Sequence, residues 1–295
     1  MKELAPRVFL ALALSLAAPA CGGSDTDAVT GDATAKSDPL LLPKSIVEWQ
    51  DQRGWGRHHL EWHTVRRWDV LDASGRDWAE RQGWDRAAKQ EGAKGNGLEF
   101  LAMHRAMIRM LLEEFPKSSK YFTGWTEVPT NPRDKTSPMP HGGDEPFAEP
   151  MLAALERLSD EHIAEFESDD ELGRFLETRM RPTSSNPGAR SKDQSSGIHN
   201  YLHNRFMDPE SEIDVGDPSV NLKNKMFWRL HGWIESRWTA FREAKGLTED
   251  DPEYAEALEM ARMHLEHTVK GVPGDPEPPP DSLLKSFEED DSLDE

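Results

Sequence analysis

Residues 98–115 read LEFLAMHRAMIRMLLEEF, and this stretch decides the fold class. Its apolar side chains recur at intervals of three, four and seven residues, which places them along one face of an α-helix. Pro116 follows directly and ends the pattern, because proline cannot continue a helix. The apolar positions are Phe100, Leu101, Met103, Met107, Ile108, Leu111 and Leu112. The stretch therefore predicts a long helix with one face in a core.

The same helical spacing recurs between residues 46 and 271, and almost no segment alternates with a period of two. Further helices are predicted over residues 151–166, 170–180, 197–206, 224–244 and 252–269. The Pro-, Gly- and Thr-rich stretch 116–150 and the Ser-, Pro- and Gly-rich stretch 181–196 predict loops. The predicted fold is mainly α: a helical bundle with two long loops.

Composition excludes several classes of protein. The 295 residues include 35 basic and 55 acidic ones, and the resulting net charge of -20 argues against binding to nucleic acid or anionic lipid. No apolar run reaches the roughly 20 residues of a membrane-spanning helix, so no integral membrane protein is expected. The single cysteine, Cys21, excludes disulfide scaffolds and thiolate zinc sites. A transition metal would have to bind through the 11 histidines and the carboxylates.

The N-terminal residues predict export. Residues 1–20 combine basic residues, an apolar stretch and small residues, as in a secretory signal peptide. Cys21 follows Ala18-Pro19-Ala20 and resembles the acylated cysteine of a bacterial lipoprotein; secretion with an unmodified thiol is the alternative. The expected location is the bacterial cell envelope, in the periplasm or on the outer membrane surface, after secretion across the inner membrane. The lipid anchor would be the only membrane contact.

Two further segments have the composition of disordered chain. Residues 21–45 are polar and almost without pattern, which predicts a tether. Residues 272–295 are rich in proline and acidic residues, which predicts a disordered tail. Residues 46–271 remain and have the size of one domain.

Six of the ten tryptophans fall between residues 49 and 84. They could form an aromatic surface for a ligand, but large rings at near-heptad intervals in helical sequence are more typical of core anchors. We predict the core role for all six: Trp49, Trp55, Trp62, Trp68, Trp78 and Trp84.

Three histidines have the arrangement of metal ligands. His199 and His203, in GIHNYLHNRFM, are four residues apart and so lie on one helical face. His231 follows in NKMFWRLHGWIESRW, an apolar and aromatic segment where a buried imidazole needs a partner. Three imidazoles from two helices suit copper, with one coordination position left open.

These segments resemble the second copper motif of the tyrosinase, catechol oxidase and molluscan hemocyanin family of type-3 dicopper proteins. Residues 199–203 match its HNxxH, and residues 224–238 follow its DPxFWLHHxxxDRxW without a gap, although Leu230 and Lys225 depart from it. The resemblance implies that His199, His203 and His231 bind one copper. It also implies a tyrosinase-like bundle around a dicopper centre.

The resemblance implies supporting roles for two more residues. Glu235 falls on a family acid, which would accept a ring N–H of a ligand histidine. Asn200 falls on the position that helps to orient a phenol-activating water. Its usual glutamate partner is not evident, because residues 178–198 contain no Glu.

The first copper motif of the family, which ends in HxxPxFLPWHR, is only partly present. GNGLEFLAMHR at residues 95–105 overlays it, so the resemblance makes His104 a ligand, but Gly95 occupies the position of another ligand. No histidine occurs between residues 64 and 103, so the nearest candidates upstream are His58, His59 and His63. They either rebuild the site through a longer loop or lie on the surface.

The resemblance implies a copper oxidase or monooxygenase that uses dioxygen to oxidise a small phenolic substrate, with one or two copper ions. One alternative is a degenerate surface lipoprotein that binds one copper or none, and another is a periplasmic metal store. The lost ligand at Gly95 favours the degenerate protein. Surface roles are predicted for the remaining histidines, which are His141, His162, His264 and His267.

Overall fold

The computed structural model describes residues 38–131, 146–178, 193–208, 210–267 and 278–288. In these ranges the chain is mainly helical, which confirms the predicted fold class, and the β-structure consists of one isolated bridge between Leu41 and Asn224. The helices are α1 Lys44–Gln52, α2 Trp55–Arg66, α3 Ala73–Arg81, α4 Asn96–Glu114, α5 Ser119–Phe122, α6 Glu149–Arg157, α7 Asp169–Glu177, α8 Ile198–Arg205, α9 Lys225–Lys245, α10 Pro252–Glu266 and α11 Asp281–Glu288.

The predicted helices correspond to α4, α6, α7, α8, α9 and α10, and most bounds agree within three residues. The exception is α6, which ends at Arg157, whereas the apolar pattern extends to Phe166. Residues 158–162 form a turn and residues 163–165 a short 3-10 helix, which buries Ile163 and Phe166 without a continuous α-helix.

Helix α4 lies at the centre of the bundle and packs against α7, α9 and α10. The crossing with α7 is very close: a Cβ built on Gly97 would lie 2.2 Å from the carbonyl oxygen of Asp170. Gly173, on α7, faces Gly97 in the same way. Any side chain at either position would push the two helices apart, so these glycines fix the position of α4.

The start of α4 is fixed by hydrogen bonds and by backbone conformation. Gly95 caps the helix with φ +87°, in the left-handed region that favours glycine. The backbone N–H groups of Gly95 and Gly97 donate to the Asp170 carboxylate at 2.9 and 3.0 Å. These bonds hold the first turn of α4 against α7.

The tryptophans are core residues, as predicted, with Trp68 only partly buried. They divide between two apolar clusters. Trp49, Trp55 and Trp62 belong to the main core, which α4 and α9 dominate. Trp78 and Trp84 belong to a smaller cluster formed by α2, α3 and α11.

The ordered chain extends beyond the predicted domain at both ends. Leu42 is buried and α1 begins at Lys44, inside the predicted tether. Helix α11 lies inside the predicted disordered tail and buries Leu283 in the smaller apolar cluster. For residues 38–45 and 278–288 the structure therefore differs from the predicted disorder, because a few apolar side chains suffice to dock a short segment on an existing core.

The described part from Asp38 onward belongs to one compact unit. No helix within these ranges combines the length and the apolar character needed to cross a bilayer. The predicted signal peptide, Cys21 and His141 lie outside the described residues.

Candidate metal centre

Six histidines come together in the interior of the bundle. They are supplied by four helices: two by α2, one by α4, two by α8 and one by α9. Each is at most 8% exposed, and their rings contact one another across the helix interfaces. The six are His59, His63, His104, His199, His203 and His231. We call this set the histidine cluster.

Two groups of three in this cluster have ring nitrogens within 4.8 Å of one another. The first group is His59, His63 and His104, which brings the upstream histidines to His104. Of the two alternatives for His59 and His63, a surface position is therefore wrong, because α2 buries both rings beside His104.

The second group differs from the predicted trio. It joins His199 and His231 to His104, whereas the sequence prediction joined them to His203. His203 nevertheless remains in the cluster, because its Nε2 atom lies 3.2 Å from Nε2 of His231. His104 belongs to both groups. Its ring stacks on that of His231, which brings the two groups together.

Backbone carbonyls orient three of the rings. The Nδ1 atoms of His59, His104 and His203 lie 3.0, 2.9 and 2.6 Å from the carbonyl oxygens of Pro218, Phe100 and Val215. A carbonyl can only accept, so each Nδ1 must carry the proton. The lone pair is then on Nε2, the usual state of a metal-binding histidine.

Two buried ring nitrogens of the cluster have no hydrogen-bond partner among the described residues: Nε2 of His104 and Nδ1 of His231. A buried polar atom without a partner costs about 1–3 kcal/mol, so such atoms are rare unless something else satisfies them. Metal coordination would satisfy the lone pair on Nε2 of His104. The residues present therefore fit a metal ion.

Five of the six rings, those of His59, His63, His104, His203 and His231, have a lowered pKa and are neutral at physiological pH. Burial lowers the pKa of His59 and of His203 to about 4. Burial, together with repulsion from neighbouring imidazoles, also lowers the pKa of His63, His104 and His231 well below the ordinary value. Neutral imidazole is the form that binds metals, so the cluster is ready to coordinate without losing protons first.

His58, the third upstream candidate, lies outside the cluster. Its ring packs edge-on against that of His264 on α10, with centroids 5.2 Å apart. Adjacent residues on a helix point about 100° apart, so His58 and His59 cannot both face His104. The structure therefore separates the His58 candidate from His59 and His63.

The predicted contact between Glu235 and a ligand histidine is wrong. The Glu235 carboxylate accepts a hydrogen bond from Arg105 Nε at 2.8 Å. The Arg105 guanidinium also donates to Tyr254 and Thr239 and lies over the Trp238 ring, 3.6 Å from its centroid. Glu235 therefore links α9 to Arg105 on α4, the residue next to His104. Its hydrogen bond stabilises the packing of these two helices and does not fix the tautomer of a histidine ring.

Asn200 contacts the backbone of Glu177, a buried residue that the sequence analysis did not identify. Its side-chain Nδ2 donates to the backbone carbonyl of Glu177 at 2.6 Å. The Glu177 side chain is itself buried, and burial, reinforced by the nearby Glu91 carboxylate, raises its pKa well above the usual value. No spacing rule connects Glu177 with Asn200, because a long connection separates them; only the contact between α7 and α8 brings them together.

Aromatic rings enclose the cluster. Phe227 contacts His231 at 4.0 Å and His59 at 5.3 Å between ring centroids, and Trp62 contacts His63 at 4.8 Å. Phe287, on α11, lies 6.4 Å from the His63 ring and carries the Arg67 guanidinium over its own face. Helix α11 therefore covers the cluster on the side of His63.

Comparison of the chain with protein-family models and with curated proteins gives no match.

Proposed function

We propose that this protein is a tyrosinase-like dicopper protein that oxidises small phenolic compounds with dioxygen. One observation carries the proposal: six buried imidazoles from four helices form one cluster. Six imidazoles are the number that a pair of copper ions with three ligands each requires. The two sequence motifs that resemble the family supply four of the six, and α2 supplies the other two.

The donor set supports copper over other metals. The cluster holds imidazole nitrogens, and in the described residues no thiolate accompanies them. All-imidazole sites suit copper, zinc, iron and nickel, and within this set affinity is highest for Cu(II) in the Irving–Williams order. A pair of copper ions would supply the electrons that reduce dioxygen, while the chain orients the substrate and excludes water.

The residues around the cluster support a fixed position for His199. The Asn200 side chain, one residue from His199, donates to the backbone carbonyl of Glu177 at the junction of α7 and α8. Burial raises the pKa of the Glu177 carboxyl well above its usual value, which favours the protonated, neutral form of this side chain. We propose that the hydrogen bond from Asn200 holds α8 against α7 and so orients the His199 ring toward the metal.

Export is part of the proposal. Residues 1–20 and Cys21 support secretion and lipid attachment at the cell envelope, where a copper oxidase would meet dioxygen and extracellular phenols. Replacing Cys21 with Ser is expected to release the protein from the membrane fraction. Lipid attachment at Cys21 is contradicted if the variant stays in the membrane fraction and the wild-type N-terminus carries no lipid.

A single-metal centre is the second candidate, because the two histidine groups share His104. Copper stoichiometry distinguishes the candidates. The apo-protein is incubated with excess copper, freed of loosely bound metal, and its copper content is measured together with its EPR spectrum and its oxygen uptake with catechol. Two copper ions per chain, an EPR-silent oxidised form and catechol-dependent oxygen uptake support the oxidase. One copper with a full Cu(II) EPR signal, or no copper, overturns it.

The matched control is His162, which lies on the surface and pairs with Glu156 and Glu165. His162→Ala removes an imidazole without touching the cluster, so copper content and oxygen uptake should equal those of the wild type. A loss in this variant would show that exposed histidines contribute to the measured copper.

A further inference from the structure

One face of α10 carries four side chains that bind soft metals. Met260, Met263 and His264 lie on α10 at intervals of three and four residues, and His267 is the C-cap, seven residues after Met260, so the four lie along one stripe. Met260 is 59% exposed and Met263 45% exposed. His267 is exposed and His264 is partly buried. We call these four residues the α10 stripe.

Two exposed methionines are unusual in this chain. Among the described residues, the large apolar side chains with high exposure are these two and Leu152. The other methionines of α4 and α9 are buried in the core. The exposed thioethers of Met260 and Met263 do not contribute to the core. Side chains three or four residues apart on a helix are close enough to bind the same ion.

The sequence analysis predicted surface positions for both histidines of the stripe. His267 is exposed, as predicted, whereas the His264 ring is partly buried. The His264 ring packs against His58, and burial lowers the pKa of His264 to about 4. A neutral ring does not interact favourably with the helix dipole as a cation, but it can coordinate a metal. The Nδ1 atom of His267 lies 2.8 Å from the carbonyl oxygen of Met263, which leaves Nε2 for a ligand.

His58 and a groove lie between this face and the interior of the bundle. His58 is buried between α10 and α2, its ring contacts His264, and the next residue along α2 is His59. Met260 and His264 also line a groove of about 730 Å³ that runs between α2, α4 and α10 as far as Trp62. On the inner side, the Trp62 ring contacts His63 and His104. The α10 stripe is therefore one layer of side chains away from the cluster.

We propose that Met260, Met263, His264 and His267 form a surface site for Cu(I), which passes the ion to the histidine cluster. Thioether and imidazole together select Cu(I), because thioether is a soft ligand that hard ions bind poorly. The transfer is a ligand exchange: bonds from copper to sulphur and imidazole break, bonds to the imidazoles of the cluster form, and copper remains Cu(I). The delivery step rests on the proposed function, whereas the surface site does not.

The test compares the wild type with Met260→Leu/Met263→Leu and with Glu259→Gln, a change of an exposed residue on the same helix. Leucine keeps the apolar volume and removes the sulphur, so the fold should be unaffected. Each apo-protein is titrated anaerobically with Cu(I) against bicinchoninate, and Cu–S scattering is measured by X-ray absorption at substoichiometric copper. Loading of the histidine cluster is followed over time.

In the double variant we expect loss of the Cu–S signal and of one bound Cu(I). The affinity of the remaining surface ligands should fall roughly 10- to 100-fold, the range seen when even an outer metal contact is lost. Loading should slow while the final copper content of the cluster is unchanged. Zn(II) binding should be equal in all three proteins, and Glu259→Gln should behave as the wild type.

Equal Cu(I) binding and equal Cu–S scattering in the wild type and the double variant overturn the surface site. Equal loading rates overturn delivery. If the cluster takes up no copper in any of the proteins, the proposed function and the delivery step both fail, and the Cu–S signal still decides whether the surface site exists.

Discussion

The imidazole rings of His104 and His231 stack face to face, with centroids 4.0 Å apart and planes 12° from parallel. They come from α4 and α9, which are separated by more than 100 residues of sequence. Each ring also belongs to the group of three that includes His199. This stack is the point at which the two histidine segments meet, and it determines what several substitutions should do.

Replacing His231 with Ala should remove the copper ion bound by the α8 and α9 histidines, because two remaining imidazoles leave the metal under-coordinated. Copper content should fall by one ion per chain relative to the wild type, as measured by atomic absorption. Unchanged copper content in this variant would remove the basis for assigning His231 as a ligand.

Replacing His59 with Ala tests the contribution of α2. Its Nδ1 is held by the Pro218 carbonyl and its Nε2 lies 3.2 Å from Nε2 of His63, so it is oriented toward a metal. We expect loss of the other copper ion and of oxygen uptake with catechol. His58→Ala is the matched control, since its ring faces His264 instead, and it should keep the equilibrium copper content. A result in which both variants bind as much copper as the wild type contradicts the role of α2.

Replacing Glu235 with Gln should affect stability more than copper. The carboxylate pairs with the buried Arg105 guanidinium, and hydrogen bonds to charged groups contribute about 1.5–3 kcal/mol. We therefore expect the free energy of unfolding in urea to fall by roughly that amount, with equilibrium copper content unchanged. A selective loss of copper affinity at unchanged stability would instead restore a direct link from Glu235 to a ligand ring.

The metal-free protein should lose stability in acid. The pKa of His59 and of His203 is about 4 in the folded state, below the ordinary value near 6.5, so the unfolded chain binds more protons between these pH values. Stability is thus fully present above about pH 6.5 and falls as pH decreases toward 4. The slope is about 1.4 kcal/mol per pH unit for each such histidine.

Urea unfolding of the apo-protein at pH 7, 6 and 5 measures this slope. His203→Leu should reduce it by the contribution of one histidine, whereas His162→Leu should not, because His162 is exposed. An unfolding free energy that is constant from pH 7 to pH 5 contradicts the neutral, buried state of the cluster.

Replacing Phe287 with Ala should open the cluster on the side of His63, since this ring and α11 cover it. A chelator should then remove bound copper faster, with the same final extent. Lys285 lies on the exposed face of α11, so the chelator should remove copper from the Lys285→Ala variant at the wild-type rate. Equal rates in the two variants would mean that α11 does not limit access.

The sequence by itself determined the fold class and the identity of the reactive groups. The apolar period of residues 98–115 is a local property, and it predicted α4 within two residues at each end. His199 and His203 were identified because ligand spacing on a helix is also local, His231 because it lies in an apolar helical segment, and His104 through the resemblance to the family motif. The tryptophans were assigned to the core on the same grounds, and they are core residues.

Only the tertiary structure decided which histidines meet. The spacing around Gly95 pointed to a lost ligand, yet α2 places His59 and His63 beside His104, because packing between helices has no fixed sequence distance. The same reason explains the partner of Glu235, the proximity of Glu177 to Asn200 and the docking of α11. Periodicity within a helix determines which face a residue occupies, whereas the contacts between faces depend on how the whole core packs.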